Sequence, residues 1–210
     1  MTLSERLAAI LLALPQGVRL VAASKGQPAS ALREAALCGQ RTFGENYAKE
    51  MRNKRLELAG SFTNLEWHFI GRVQASNAKD IASAALVHGV GSLEQAAALG
   101  KRGSDRGPIA VLLQLSLWDE ATKNGFSEAE LEQNLQALRD LPGLDIRGFM
   151  AMPPSAAGRG AFAAVRKLRD RVAPAWHELS MGMSGDWREA VDEGATLVRI
   201  GTAIFGERLT

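Results

Sequence analysis

The sequence predicts a single (β/α)8 barrel over residues 1–210, preceded by one extra N-terminal helix. Three observations carry that reading. Short apolar runs alternate with helical patterns eight times along the chain. The connections are short, with no linker or low-complexity segment. The most emphatic run, 109–117, is almost wholly apolar, as a parallel strand buried on both faces is. A doubly wound open sheet is the competing fold, because the second and fourth strands are the weakest segments.

The N-terminal helix comes first. Leu3, Leu7, Ile10, Leu11 and Leu14 fall on one helical face, and Thr2 with Glu5 has the spacing of a capping box. The apolar stretch after Arg6 resembles a signal peptide, but no small-residue cleavage site follows and Pro15-Gln16-Gly17 reads as a turn. The first strand spans 18–24 and its helix 28–38, with Pro28 suited to the first turn and Gly39 to termination. A short second strand at 41–44 leads through Glu45-Asn46-Tyr47 into a helix. The third strand, 65–70, ends at Gly71 and precedes a helix over 76–85. The fourth strand is 86–90, and Ser92 caps the helix over 92–99.

After the fifth strand, Ser127 caps a helix to about residue 139, with Glu128 and Glu130 where the helix dipole favours them. The sixth strand, 145–152, stops at Pro153-Pro154. A helix over 160–177 follows, interruptible at Pro174. The seventh strand is 178–183, its helix 186–193, and the eighth strand 197–201.

Composition narrows the function. The net charge of +2 arises from 25 basic and 23 acidic residues spread along the chain, which argues against nucleic-acid binding. Cys38 is the single cysteine, so no internal disulfide forms and a cytoplasmic location is expected. No apolar run is long enough to span a membrane. No metal site is expected.

In a barrel, functional groups gather just beyond the C-terminal ends of the strands. Lys25 stands where the first strand hands over to its helix. Poor solvation at such a mouth lowers an ammonium pKa and favours imine formation with an aldehyde, although the same lysine also reads as a solvated strand cap. His68 within the third strand reads as a core histidine or a catalytic one, and Lys123 as a loop charge. Two late clusters are stronger. Met183-Ser184-Gly185-Asp186 places a hydroxyl and flexible backbone at a helix start, which favours an anion. Arg199-Ile200-Gly201-Thr202 adds a guanidinium, amides and a second hydroxyl. The loops after strands seven and eight form the recurrent phosphate site of such barrels. A phosphate there, beside an imine-forming lysine on the adjoining first strand, describes the two ends of pyridoxal 5′-phosphate (PLP).

Val21-Ala22-Ala23-Ser24-Lys25, Phe43-Gly44-Glu45-Asn46-Tyr47, Glu66-Trp67-His68-Phe69-Ile70-Gly71, Leu179-Ser180-Met181-Gly182-Met183-Ser184 and the segment from Val198 to Gly206 resemble the signature segments of the pyridoxal phosphate homeostasis protein family, also called YggS or PROSC. The similarity covers nearly the whole chain, in order. It implies a barrel like the N-terminal domain of alanine racemase, with PLP held as an imine on Lys25. It also implies that Arg199 faces the pyridine nitrogen, that Ser184, Gly201 and Thr202 bind the phosphate, and that Asn46 neighbours the ring. The pattern departs at Gln27 and Asn77, where the family usually carries accessory lysines.

Three functions compete at this stage. They are a PLP carrier or buffer in intracellular PLP homeostasis, a PLP enzyme such as an amino-acid racemase, and a cofactor-free aldolase using Lys25. The carrier ranks first, because an arginine at the pyridine nitrogen keeps the ring a weak electron sink. The resembled racemases take an opposing tyrosine from a second, C-terminal β domain. None follows the eighth strand here, so racemisation is expected to be slow. The expected partners are PLP and the PLP-dependent apo-enzymes that receive it, and a monomer is expected.

Overall fold

A computed structural model describes residues 1–103, 107–118, 124–154 and 157–207. Lys123 lies outside the described residues. The strands β1 (Arg19–Ala23), β2 (Thr42–Glu45), β3 (Glu66–Phe69), β4 (Leu86–Val90), β5 (Ile109–Leu115), β6 (Leu144–Ala151), β7 (Glu178–Ser180) and β8 (Leu197–Ile200) are all parallel. They close in sequence order, and β1 pairs with β8 in the register Val21↔Arg199. Closure rules out the open sheet.

The helices fall between the strands as expected. Helix α1 (Leu3–Ala13) begins with the capping box of Thr2 and Glu5, and buries Leu7 and Ile10, while Leu11 at the margin of the apolar face is exposed. Arg6 Nε donates to the Ile204 carbonyl at 2.8 Å, tying α1 to the last helix of the chain. Helix α2 (Ala29–Leu37) has Pro28 at its N-cap, and α3 (Ala48–Ala59) follows β2. Ser92 Oγ accepts from the Gln95 amide to cap α5 (Leu93–Gly103). Ser127 and Glu130 form a second capping box on α6 (Glu128–Asp140).

Several boundaries differ from the sequence reading, among them the end of α5, at Gly103 rather than 99. The helix expected over 76–85 is only α4 (Ala78–Ile81), because the Ala84 amide closes a tight turn to the Ile81 carbonyl and the Ala85 amide already donates to Trp67 on β3. Docking onto the sheet overrides the helical propensity of the alanines. Strand β5 ends at Leu115 rather than 117. Helix α7 (Gly158–Val172) stops short of 177, since the residue before Pro174 is barred from helical geometry and Ala173 sits at φ −150°. Strand β7 ends at Ser180, not 183, because the chain bends at Gly182 with φ +91°. A Cβ there would lie 2.7 Å from Ala190 Cβ. Helices α8 (Trp187–Asp192) and α9 (Thr202–Phe205) complete the order.

Two cores result. The larger lies between sheet and helices, and includes Phe43, Phe69, Phe149, Leu99, Leu112's neighbours Val111 and Leu113, and Phe162. The smaller fills the barrel interior with Val21, Leu86, Ala110, Leu112, Met150 and Leu197. That interior is not wholly apolar: His68, His88, Ser180 and Arg199 are buried at inward-facing positions of four strands. Among the described residues, no helix is long and apolar enough to cross a membrane.

Candidate functional site

The first wall of the site is the end of β1. The ladder continues one residue beyond the strand, with the Ser24 amide donating to the Gly44 carbonyl at 2.9 Å. Buried Ser24 then donates its hydroxyl proton to Glu45 Oε1 at 2.6 Å. Lys54 Nζ, on α3, donates at 2.7 Å to the Ser24 carbonyl, to Glu45 Oε1 and to Glu50 Oε1. Glu50 Oε1 also accepts from the Gly26 amide. The residues on both sides of Lys25 are therefore pinned to one ion-pair cluster, and Lys25 leaves the barrel between them. Burial pushes the Glu45 carboxyl above its ordinary range, opposed by its bonds to Lys54 and Ser24. Sequence reasoning missed Lys54, because its spacing from Glu50 is that of an ordinary surface pair on a helix. Only the fold shows that the lysine is 6% exposed.

The second wall comes from the turns after β7 and β8. Met183 donates its amide to Asp186 Oδ1 at 2.6 Å, which closes the turn and holds the carboxylate back. Ser184 Oγ accepts from the Ala203 amide at 3.3 Å, so the two turns are joined. The amides of Ser184 and Gly185 enter no hydrogen bond among the described residues. Gly201 and Thr202 open α9 directly opposite. Two hydroxyls and unengaged amides on adjoining turns make an anion cradle with no carboxylate committed to it.

Between the walls lies Arg199, which is 4% exposed. Nη1 donates to the Ser180 carbonyl and to Ser180 Oγ, both at 2.6 Å, and Nη2 donates to the Ala151 carbonyl at 2.9 Å. Three of its five N–H groups are thus committed, which leaves one on Nε and one on Nη2 among the described residues. Burial lowers its pKa to about 10, with Asp186 opposing, so the guanidinium still holds its proton at neutral pH.

A cavity of about 330 Å³ joins these parts. Lys25, Asn46, Met183, Ser184, Arg199, Gly201 and Thr202 all line it, as do Gln27 and Met152. Its volume suits a small-molecule site, for which roughly 300–1,000 Å³ is usual. Asn46 Oδ1 is buried without a hydrogen-bond partner among the described residues. Its backbone is placed by Gly71, where a Cβ would lie 2.1 Å from the Asn46 carbonyl oxygen. His68 and Tyr47 do not line the cavity: His68 lies deeper in the barrel and Tyr47 is 66% exposed on the outside. The sequence reading also missed His88 and Ser180. The alternation along β7 and β8 marks Ser180 and Arg199 as inward, but their contact depends on strand register.

Comparison with known proteins agrees with this geometry. The family model described as alanine racemase, N-terminal domain, matches residues 2–209. A pyridoxal phosphate homeostasis protein of Pseudomonas aeruginosa is 43% identical over 200 residues, which are 92% of this chain and 86% of that one. This chain belongs to the pyridoxal phosphate homeostasis protein family. A solved member of that family's fold, PipY of Synechococcus elongatus PCC7942 with PLP bound, is 37% identical and superposes with a TM-score of 0.90 over 98% of this chain and 100% of its own. Alanine racemase from E. faecalis shares the barrel with a TM-score of 0.74 at 17% identity, this chain covering 58% of it. At that identity the likeness concerns the fold alone.

Proposed function

We propose that this chain binds pyridoxal 5′-phosphate and serves intracellular PLP homeostasis as a carrier or buffer. One observation carries the reading. Closure of the barrel puts Lys25, at the end of β1, in the same cavity as Arg199, Gly201 and Thr202, at the end of the adjoining β8. The donor set matches the two ends of that cofactor. Lys25 supplies the amine, Ser184, Thr202 and the nearby amides suit a phosphate, and Arg199 offers N–H groups to a ring nitrogen. Asn46 Oδ1, unpartnered among the described residues, supplies an acceptor for a polar ring substituent. PipY, with PLP in its structure, supports the assignment through its 37% identity. When bound, the cofactor supplies an aldehyde carbon for the amine and a ring that withdraws electrons.

The protein's own groups favour holding over turnover. Arg199 takes no proton from a ring nitrogen, so the ring stays the weaker electron sink. Lys25 and Arg199 are the ionisable residues that line the cavity, and a guanidinium effectively never gives up its proton, which leaves Lys25 as the one group there to move a proton. Holding the cofactor as an imine on Lys25, working in the cytoplasm as a monomer, and passing PLP to apo-enzymes complete the proposal. Cys38, the lone cysteine, suits a reducing compartment.

The purified protein, incubated with PLP, should be yellow. Borohydride reduction should fix the cofactor's mass on the peptide containing Lys25. A colourless protein that takes up no PLP, or label on another lysine, would overturn the assignment.

A further inference from the structure

The barrel interior contains a polar column that holding a cofactor does not by itself require. It starts at Arg199, whose Nη1 meets Ser180 Oγ at 2.6 Å. Ser180 Oγ lies 2.8 Å from His88 Nδ1, and His88 Nε2 lies 2.9 Å from His68 Nδ1. His68 Nε2 then faces Glu66 Oε1 at 3.7 Å, beyond hydrogen-bond distance, and has no hydrogen-bond partner among the described residues. The other oxygen of Glu66 accepts from Thr42 Oγ1 at 3.1 Å. Ser180, His88 and His68 are completely buried, whereas Glu66 is the first residue of β3 and reaches the rim opposite the cavity. The column thus crosses the barrel from its cofactor mouth to its far end.

The direction of the hydrogen bonds follows from the two ends. A guanidinium has donors and no acceptor, so Arg199 can only give a proton to Ser180 Oγ. The serine hydroxyl then has one proton to place in a fully buried site, and His88 Nδ1 is the acceptor within reach. A buried donor left without one is a costly defect. His88 therefore accepts at Nδ1 and carries its own proton on Nε2, which it donates to His68 Nδ1. His68 in turn carries its proton on Nε2, aimed at a carboxylate. Reversing the chain would strand the serine proton and point an imidazole lone pair at the Glu66 anion. Both ends favour the same order. Burial acts in the same sense on His88, pushing its pKa well below the ordinary imidazole range.

We propose that Ser180, His88 and His68 are positioning residues for Arg199, forming a one-way hydrogen-bond chain that ends at His68, beside Glu66, and fixes the guanidinium edge offered to the ring nitrogen of the cofactor. The last clause rests on the PLP reading; the chain itself does not. With Nη1 tied to Ser180 and Nη2 to Ala151, Arg199 cannot swing to present another edge without breaking the chain at its first link. The histidines then act as neutral relays with one fixed tautomer each. Neither touches the cavity.

Nitrogen NMR of the whole, histidine- and arginine-labelled protein at neutral pH, without added PLP, tests the chain directly. Both His68 and His88 should be neutral with the proton on Nε2, and the Nη1 and Nη2 signals of Arg199 should be separate, as for a guanidinium that rotates slowly. In Ser180→Ala the Nη1 signal of Arg199 should shift, the bonds to the two backbone carbonyls remaining, and His88 should populate both tautomers. With PLP added, the pH midpoint of the visible band should move by half a unit or more relative to the unsubstituted protein. Should Ser180→Ala fail to fold, Glu66→Gln at the exposed rim serves, because its amide can donate to His68 and should draw out a measurable Nδ1–H population there. A charged His68, either imidazole protonated on Nδ1 in the unsubstituted protein, or an Arg199 whose signals ignore Ser180→Ala would overturn the proposal. Failure of the unsubstituted protein to take up PLP, with both tautomers as expected, would instead overturn the proposed function and leave the chain standing.

Discussion

Lys25 is half-buried at the end of a strand, and its side chain belongs to a cavity rather than to the packed core. Lys25→Ala should therefore abolish the visible imine band while the melting temperature stays within a few degrees of the original, both read on the same sample. Ser184 and Thr202 should govern affinity instead. Each offers one hydroxyl to a dianion, and a hydrogen bond to a charged group contributes about 1.5–3 kcal/mol. Loss of either should weaken PLP binding about tenfold to a hundredfold by titration, and a double variant of unchanged affinity would put the phosphate elsewhere. Glu66 carries a pH signature. Its carboxyl is held at about 2, against an ordinary value of 4.5, chiefly by the facing N–H of His68 and also by the Thr42 hydroxyl. A depressed carboxyl stabilises the folded state above the unfolded value, and that contribution is lost as pH falls from about 4.5 towards 2. Urea midpoints between pH 2 and 6 should accordingly fall less steeply for Glu66→Gln than for the original protein. These residues differ in how visible they are in the sequence. Lys25, Ser184, Arg199 and Thr202 announce themselves because each follows or ends an apolar run and brings its chemistry with it. His88 and Ser180 do not, since their role comes from facing each other across strands 92 positions apart.

At the scale of elements, the Lys54 cluster is the joint between α3 and the ends of β1 and β2. Three acceptors on three segments share one ammonium, and Lys54 and Glu45 are both buried. Removing one member of a buried pair leaves the other charge stranded, at a cost of about 3–5 kcal/mol. Lys54→Met should destabilise the fold by about that much in urea unfolding. Adding Glu45→Gln should recover a large part, because the stranded charge is gone. Equal losses for the single and double variants would show that the pair matters only for packing. The same variants bear on function, since the cluster holds both neighbours of Lys25. Element boundaries were legible where the stop signal is in the chain, as with Thr2, Pro28, Gly39, Ser92 and Ser127. They were not legible where tertiary docking ends an element early. Nothing local in the alanine-rich segment after residue 76 reveals that Ala85 is already bound to β3.

At the scale of the molecule, barrel closure converts a linear order of motifs into one cavity. That closure was legible because eight apolar runs of strand length alternate with helices, and the cavity because most of its polar lining lies at the ends of strands one, two, seven and eight. The cavity also limits the chemistry. Its lining includes Lys25 as a base, and neither Tyr47 nor His68 reaches it. Exchange of an amino acid's α-proton requires a properly placed base, and two-sided exchange requires two. Deuterium incorporation at Cα should therefore stay below about one turnover per second across a panel of L- and D-amino acids, at the low end of enzyme rates. Faster exchange would promote Tyr47 to a second base and favour the racemase reading. The pairing of β1 with β8 has another consequence, during synthesis on the ribosome. Arg199 leaves the ribosome 174 positions after Lys25, which at about 5–20 residues per second is a wait of roughly 10–35 s. Through that interval the edge of β1 has no β8 to pair with, and Lys25 has no phosphate cradle beside it. The cavity is therefore complete only once β8 pairs with β1, and on the PLP reading a nascent chain halted before Arg199 should form no stable imine.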